Sequence, residues 1–544
     1  MDVIEAVTEK PHLVGLNSAQ RLAATHGIPE HERVGSTPPL LIIAGAGSGK
    51  TKALTHRVAH LVLNGADPRR ILLMTFARRM AAEMTRRVEQ ICALSFKGRS
   101  TVPADAIEWS GTFHAIGAKL LRLHAETIGL DPSFSILDRG DAEDLMDMVR
   151  DEQGLSTTRN RFPKKSTCLA IYSFAVNAQT DVRKTLIRAF PWCSEWEEAL
   201  NKLFAAYVEA KQIQGVLDYD DLLLYWAKMM EIPEVAELVA RRFDHVLVDE
   251  YQDTNALQAT ILLGLKPDGQ GLTVVGDDAQ SIYSFRAATV RNILDFPGAF
   301  SPAADIITLD RNYRSTQPIL AAANGVIDLA SERFTKNLWT ERVSAERPQL
   351  VSVRDEADQA HYIVEQVLSN REVGTTLKQQ AVLFRTSHHS GQLEVELTRR
   401  NIPFVKFGGL KFLDSAHVKD LLALLRFVQN PRDRVAGFRL MQLLPGVGPT
   451  SAQRVLDAMA DKPNPLAALS EIPAPPRSVM TGPPSSARSI PSGKAVLPGP
   501  PRSNWRGVGT SRTSTASMKT PPSGRPISCN WSRSRRAIHP ASAS

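Results

Sequence analysis

"LLIIAGAGSGKT", residues 40–51, decides how the chain is read. Leu40–Ala44 is a short apolar run of the kind that forms a strand buried on both faces. Gly45, Gly47 and Gly49 then predict a loop whose backbone N–H groups can face phosphates. Lys50 offers a charge for the β- and γ-phosphates, and Thr51 a hydroxyl for Mg²⁺. An amphipathic stretch follows, predicting a helix whose N-terminus favours anions. The candidate nucleotide cradle is therefore Ala44, Gly45, Ala46, Gly47, Ser48, Gly49, Lys50 and Thr51. It departs from G-x-x-x-x-G-K-[ST] at the first place, where Ala44 stands. A chance glycine-rich turn is the bland alternative. The agreement of strand, loop, Lys-Thr pair and helix weighs against it.

Working outward, the same alternation recurs from about Pro39 to Gly408. Strands are predicted at 40–44, 71–76, 245–250, 272–277, 305–310, 349–353 and 380–385, with helical patterns between them. The class is α/β, wound on parallel sheets. Between Thr112 and about Gly215 the strand signal fades into helical patterns, as in "DAEDLMDMVRDE" and "SEWEEALNKLFAAYVEAKQIQG". A second helical region begins near Phe412.

Composition bounds the function classes. The whole chain has 544 residues and a net charge of +8. No Asp or Glu follows Glu471, and residues 472–544 alone carry +11, so residues 1–471 are −3. The basic balance thus reports the tail and is no argument that the body binds nucleic acid. That tail holds 13 Pro and 15 Ser without periodicity, which predicts disorder. Its sudden loss of acidic residues also fits an out-of-frame join, testable by reading the other frames of the coding DNA. The four cysteines form no CxxC pair, which excludes a zinc ribbon and suits a reducing compartment. No apolar run is long enough for a membrane span, and the N-terminus has no secretory core. The expected location is the cytoplasm.

The chemistry needs an acidic partner for the cradle. "HVLVDEYQDT" places Asp249 to hold Mg²⁺ and Glu250 to polarise an attacking water. "VVGDDAQSIYSFRAA" clusters Asp277, Gln280 and Arg286 past a third strand, where ligands of such sheets bind. "LDRNYRST" adds a Tyr-Arg pair that could stack a base and meet the γ-phosphate.

In this order, "AGAGSGKT", "DEYQD", "GDDAQSIYSFRAA" and "NYRST" resemble the UvrD/Rep-type DNA helicases of superfamily 1. "LNSAQ", "MTFARRMAAEM", "SGTFHAIGAKLLR", "VLDYDDLL" and "VLFRTSHHSGQLEVEL" are similar to further motifs of the family, as is "PFVKFGGLKFLDSAHVKDLLALLR". The resemblance covers about residues 13–465. It implies RecA-like motor domains, with ATP and Mg²⁺ between them, that move 3′ to 5′ on single-stranded DNA and act at single/double-strand junctions. The implied division is a first motor domain over 1–111 and 216–303 and a helical insert over 112–215. A partial second RecA-like domain over 304–411 and part of its helical insert over 412–471 would follow.

The implied roles follow by motif. Gln20 reads adenine, Lys50 and Thr51 bind phosphate and Mg²⁺, Asp249 holds Mg²⁺ and Glu250 is the base. Gln280 senses the γ-phosphate, Arg286 links nucleotide to DNA, Tyr313 stacks on adenine and Arg314 contacts the γ-phosphate from the second motor domain. Phe76 and Phe285 stack on DNA bases, and His114 lies in a single-strand contact motif. For Phe76 the alternative is core packing. "LLPGVGPTSAQRVL" (443–456) reads equally as a phosphate-holding hairpin or an ordinary turn between helices. The family also has "TxHxxKGLEF"-like and "VGxTRA"-like motifs. Neither is found, since "RGVGTSRTS" (506–514) has no strand to present it. Two readings therefore stand: an ATP-dependent helicase, and a truncated relative that binds nucleotide or DNA without unwinding. A P-loop transferase is disfavoured by the "DEYQD" and "GDDAQS" pair.

Overall fold

The computed structural model describes residues 10–28, 37–95, 107–157, 161–407, 416–444, 446–460 and 462. The expected disordered tail and the domain boundary at 411/412 lie outside them. The chain divides into two compact units, the second starting at Met441.

Among the described residues, eight strands form in the first unit: β1 Leu40–Ala44, β2 Ile71–Met74, β3 Trp109–Gly111, β4 Ser135–Ile136, β5 Val216–Leu217, β6 His245–Val248, β7 Leu272–Gly276 and β8 Asp305–Leu309. Six of them make one sheet in the order β3-β2-β6-β7-β1-β8. Every pairing is parallel, with Leu41 opposite Val274 on one side and Ile306 on the other. Successive side chains of β1 point to opposite faces, and both faces are covered. Leu41 and Ile43 pack with Leu120, Leu222, Trp226 and Ile261. Leu40 and Ile42 pack with Leu54, Val58, Met84 and Val88. That double burial is why the strands read as continuous apolar runs.

Three expectations are corrected. The run 305–310 is not the start of a second sheet: β8 pairs with β1 and closes the edge of the first. Residues 349–353 and 380–385 form no strand. Leu350 and Leu383 are 97% and 94% exposed. Phe384 packs against the core that includes Val364 and Leu393, but among the described residues no strand lies beside either run to supply a ladder. β-propensity without a partner does not make a strand. Strand β3, which has three residues and one β-former, went unread. So did the two-residue pair β4–β5, which brackets the helical insert.

The insert packs helices Arg139–Glu152, Lys165–Ala178, Val182–Ala189 and Glu197–Gln214 around Leu145, Met146, Ile171, Leu186, Leu200 and Leu203. Beyond β8, helices Glu356–Glu372 and Gly391–Arg399 share a small core of Ala360, Val364, Leu393, Leu397 and Ile402. In the second unit, the helix Pro449–Ala460 follows Gly446 at φ +82°. That geometry serves both readings of the 443–456 stretch.

One glycine fixes how β7 enters the sheet. Gly271 has φ +77°, and a Cβ there would lie 2.1 Å from the Asp244 carbonyl oxygen. Its N–H donates to Thr37 O at 2.6 Å and its carbonyl accepts from Val246 at 2.9 Å. Gly271→Ala is expected to destabilise the protein by about 2–4 kcal/mol, through a strained φ and a backbone clash together. Urea unfolding followed by circular dichroism checks this. A loss below 0.5 kcal/mol, within the scatter of ordinary surface substitutions, would refute it.

Candidate functional site

In a parallel sheet all strands point one way, so the loops after β1, β2, β3, β6, β7 and β8 gather along one edge. Ligands of open α/β sheets bind there. The motifs at 44–51, 249–253, 276–288 and 312–316 sit on these loops.

The loop after β1 needs its glycines. Gly47 and Gly49 take φ +78° and +90°, and the helix Lys50–Leu63 starts immediately after them. Ala44, which replaces the expected glycine, is the last residue of β1 and fully buried. It belongs to the strand, so the departure leaves the loop intact. Ser48 closes the loop, its N–H and hydroxyl donating to Gly45 O at 3.1 and 2.8 Å. Gln20 is buried against it and donates through Nε2 to Ser48 O at 2.9 Å. A reciprocal capping box with Asn17 holds Gln20 in place, and Asn17 also donates to the Tyr313 hydroxyl at 2.9 Å. Gln20 and Tyr313, the two expected adenine contacts, are thus brought together.

β6 delivers the carboxylates. Asp249 continues the ladder, donating to Met74 O at 2.9 Å. The next residue, Glu250, takes φ +53°. A non-glycine residue held in the left-handed region is a cost that persists at functional sites. The turn brings Glu250 Oε2 to 2.9 Å from Lys50 Nζ. Thr51 Oγ1 lies 3.5 Å from Asp249 Oδ2. Burial, with the Glu250 charge beside it, pushes Asp249 up to about 6, and Asp253 likewise. A hydroxyl and a desolvated carboxylate side by side suit a Mg²⁺ that takes its other ligands from phosphate and water. Among the described residues no group of three His, Cys, Asp or Glu forms an all-protein metal cage.

β7 and β8 complete the edge. Gln280 Nε2 donates to Asp277 Oδ2 at 2.6 Å. Gln252 bridges two strands: its Oε1 accepts from the Asp277 N–H and its Nε2 donates to Glu250 Oε2, each at 2.9 Å. After β8, Asn312 caps the arginine-bearing turn, its Oδ1 accepting from the N–H groups of Arg314 and Ser315 at 2.8 and 2.7 Å. The turn is fastened to the phosphate loop, with Asn312 Nδ2 donating to Ala46 O and the Tyr313 N–H to Gly47 O. A Cβ on Gly47 would sit 2.7 Å from that of Arg314. Arg314 therefore arrives just past β8, the edge strand of the first sheet.

A separate cluster lies past β2 and β7. Phe76 is 42% and Phe285 65% exposed, which rejects core packing for Phe76. Their rings flank Tyr283 at 4.9 and 5.7 Å between centroids. The Arg286 guanidinium lies within 6.0 Å of all three rings. His114 packs edge-on to Tyr219 at 5.8 Å. Burial, then the charges of Arg286 and Arg78, push its imidazole down to about 4. It is neutral at physiological pH and can stack or accept but does not supply a charge.

Sequence reasoning missed Asn17, Asn312, Tyr283 and Lys336. The first three lie inside quoted motifs and could have been found there. Lys336 lies in an aperiodic stretch and gave no signal.

Two family models match the chain: the UvrD/REP helicase N-terminal domain over residues 29–301 and the UvrD-like helicase C-terminal domain over 307–463. Curated relatives include the ATP-dependent DNA helicase PcrA of Staphylococcus epidermidis (strain ATCC 12228 / FDA PCI 1200) and of Staphylococcus aureus (strain NCTC 8325 / PS 47). Each is 34% identical over 421 residues, which is 77% of this chain and 55% of the relative. The chain thus spans about half the length of the curated relatives it matches.

Proposed function

Since the chain belongs to the UvrD/REP helicase family, we propose that it is an ATP-dependent DNA helicase moving 3′ to 5′ on single-stranded DNA, with junctions as its substrates. The observation that carries this is the single edge on which the phosphate loop, Glu250, Gln280, the Arg314 turn and an exposed aromatic row all meet. Ala44, Gly45, Ala46, Gly47, Ser48 and Gly49 would wrap the phosphates while Lys50 neutralises them. Thr51 and Asp249 would hold Mg²⁺, which supplies charge neutralisation at the phosphates. Glu250 takes the proton of the attacking water. Gln280 and Arg314 engage the γ-phosphate, and Gln20 and Tyr313 frame the adenine. Phe76, Tyr283 and Phe285 stack bases, with Arg286 between nucleotide and DNA and His114 beside the strand. Stacking tolerates any sequence, as a translocating motor requires. Among the described residues no helix is long and apolar enough to cross a membrane, and we place the activity in the cytoplasm.

A second reading has its own support. Among the described residues the runs 349–353 and 380–385 form no strand, and a second motor sheet without them would favour nucleotide or DNA binding without unwinding. Measuring ATP hydrolysis with and without oligo-dT, and opening of 3′- against 5′-tailed duplexes, separates the two. DNA-stimulated turnover with 3′-tailed unwinding carries the helicase reading. Retained nucleotide binding without turnover carries the second. Under either, Phe285→Ala is expected to weaken oligo-dT binding by about 1–3 kcal/mol. Fluorescence anisotropy reads it, and an unchanged affinity would remove Phe285 from the DNA path.

A further inference from the structure

Lys336 has no role in the site as described so far, yet it reaches into it. It lies in "FTKNLWT" (334–340) and is 7% exposed. Its Nζ sits 2.6 Å from Asp277 Oδ1 and also bonds Asp278 Oδ1. The backbone around it is fastened too. The Phe334 N–H donates to Asp278 Oδ2 at 3.1 Å, and the Asn312 N–H donates to Trp339 O at 2.7 Å. Leu338 packs so close to the phosphate loop that a Cβ on Gly45 would meet it at 2.3 Å.

A buried ammonium carries a large desolvation cost, and well-packed apolar residues often replace such ion pairs without loss. A charge buried at that cost and bonded to two carboxylates is placed to orient them. Lys336 takes one oxygen of Asp277. The other, Oδ2, accepts from Gln280 Nε2 at 2.6 Å. The Asp277 N–H runs through Gln252 to Glu250 Oε2, the oxygen that also meets Lys50 Nζ. One unbroken polar chain therefore links the segment after the arginine turn to the expected γ-phosphate sensor and the expected base.

We propose that Lys336 is a positioning residue, which fixes the Asp277 carboxylate and so aims Gln280 at the terminal phosphate of a bound nucleoside triphosphate. The proposal rests on the nucleotide-site reading above. Its signature is selectivity: a diphosphate has no group for Gln280 to sense, so its affinity does not depend on Lys336.

The test uses the full chain and two fluorescent nucleotides, an ADP and a non-hydrolysable ATP analogue. Lys336→Met is compared with Lys336→Arg and Gln280→Ala. The expected result is a loss of about tenfold in preference for the triphosphate, the scale of one hydrogen bond to a charged group, with ADP affinity held. Lys336→Arg restores part of it, and Lys336→Met with Gln280→Ala is no worse than either alone. Equal losses for both nucleotides, or unchanged preference in folded Lys336→Met, overturn the proposal. If Lys336→Met does not fold, Lys336→Met with Asp278→Asn, which removes one buried carboxylate charge, is read by the same criteria. If neither folds, unaltered preference in Lys336→Arg assigns Lys336 to stability alone and also overturns it. Wild-type protein that binds both nucleotides equally through Lys50 refutes only the proposal. Binding of neither, or binding independent of Lys50, refutes the nucleotide site itself.

Discussion

Lys50→Ala is expected to weaken nucleotide binding by roughly 10- to 100-fold, the range of one lost charge-assisted hydrogen bond. The geometry explains why the loss falls on the ligand and not on the fold. Among the described side chains Lys50 is held by Glu250 alone, at 2.9 Å, and Glu250 keeps a second donor in Gln252. Unfolding free energy is therefore expected to change by about 1 kcal/mol or less, as for partly exposed pairs. Titration with a fluorescent ATP analogue reads the first quantity and urea unfolding the second. Affinity within twofold of wild type would mean that the loop at 44–51 does not cradle phosphates.

Lys211→Met should have the larger effect on stability, a loss of about 3–5 kcal/mol and a fall in Tm on the order of 10 °C. Asp218 and Asp221 cap the helix Tyr219–Met229 reciprocally, each accepting the other's N–H. Two carboxylates at one helix start repel, and Lys211 bridges them at 2.7 and 2.6 Å, fully buried. The pH dependence has a definite sign. Burial, then the Asp218 charge, push Asp221 up to about 7 and Asp220 up to about 6. Groups raised in this way contribute stability that is complete below their ordinary value near 3.9 and is lost as pH climbs through 6 to 7. Without Lys211 less offsets that ionisation, so the gap between variant and wild type should widen from pH 5 to pH 8. Trp226, buried nearby on the same helix, gives a fluorescence readout. A pH-independent gap would show that water, not Lys211, solvates the carboxylates.

How much of this was legible depends on where each residue's partners lie in the chain. Leu40–Ala44 and Leu272–Gly276 were readable because a strand buried on both faces must be apolar throughout. The phosphate loop was readable because the left-handed turns at Gly47 and Gly49 tolerate little else. Residues 349–353 were misread because apolar character alone cannot tell a strand with neighbours from one without. β8 was assigned to the wrong sheet because nothing local in "DIITLD" specifies β1 as its partner. Lys336 was invisible for the same reason. Its partners lie 58 and 59 residues away, and a lone lysine in an aperiodic stretch usually points to water.

The seating of β8 bears on how such a motor could move. Arg314 follows Leu309 by five residues and its turn is hydrogen-bonded to Ala46 and Gly47. On the proposed reading it would therefore stay with the phosphate loop, and with any nucleotide held there, as β8 stays paired with β1. A stroke that opened the cleft could not withdraw Arg314 without first tearing β8 from β1. On the helicase reading proposed above, the pivot would then lie beyond Ser315, and a lever converting hydrolysis into a step would begin in the chain after the arginine, not at it.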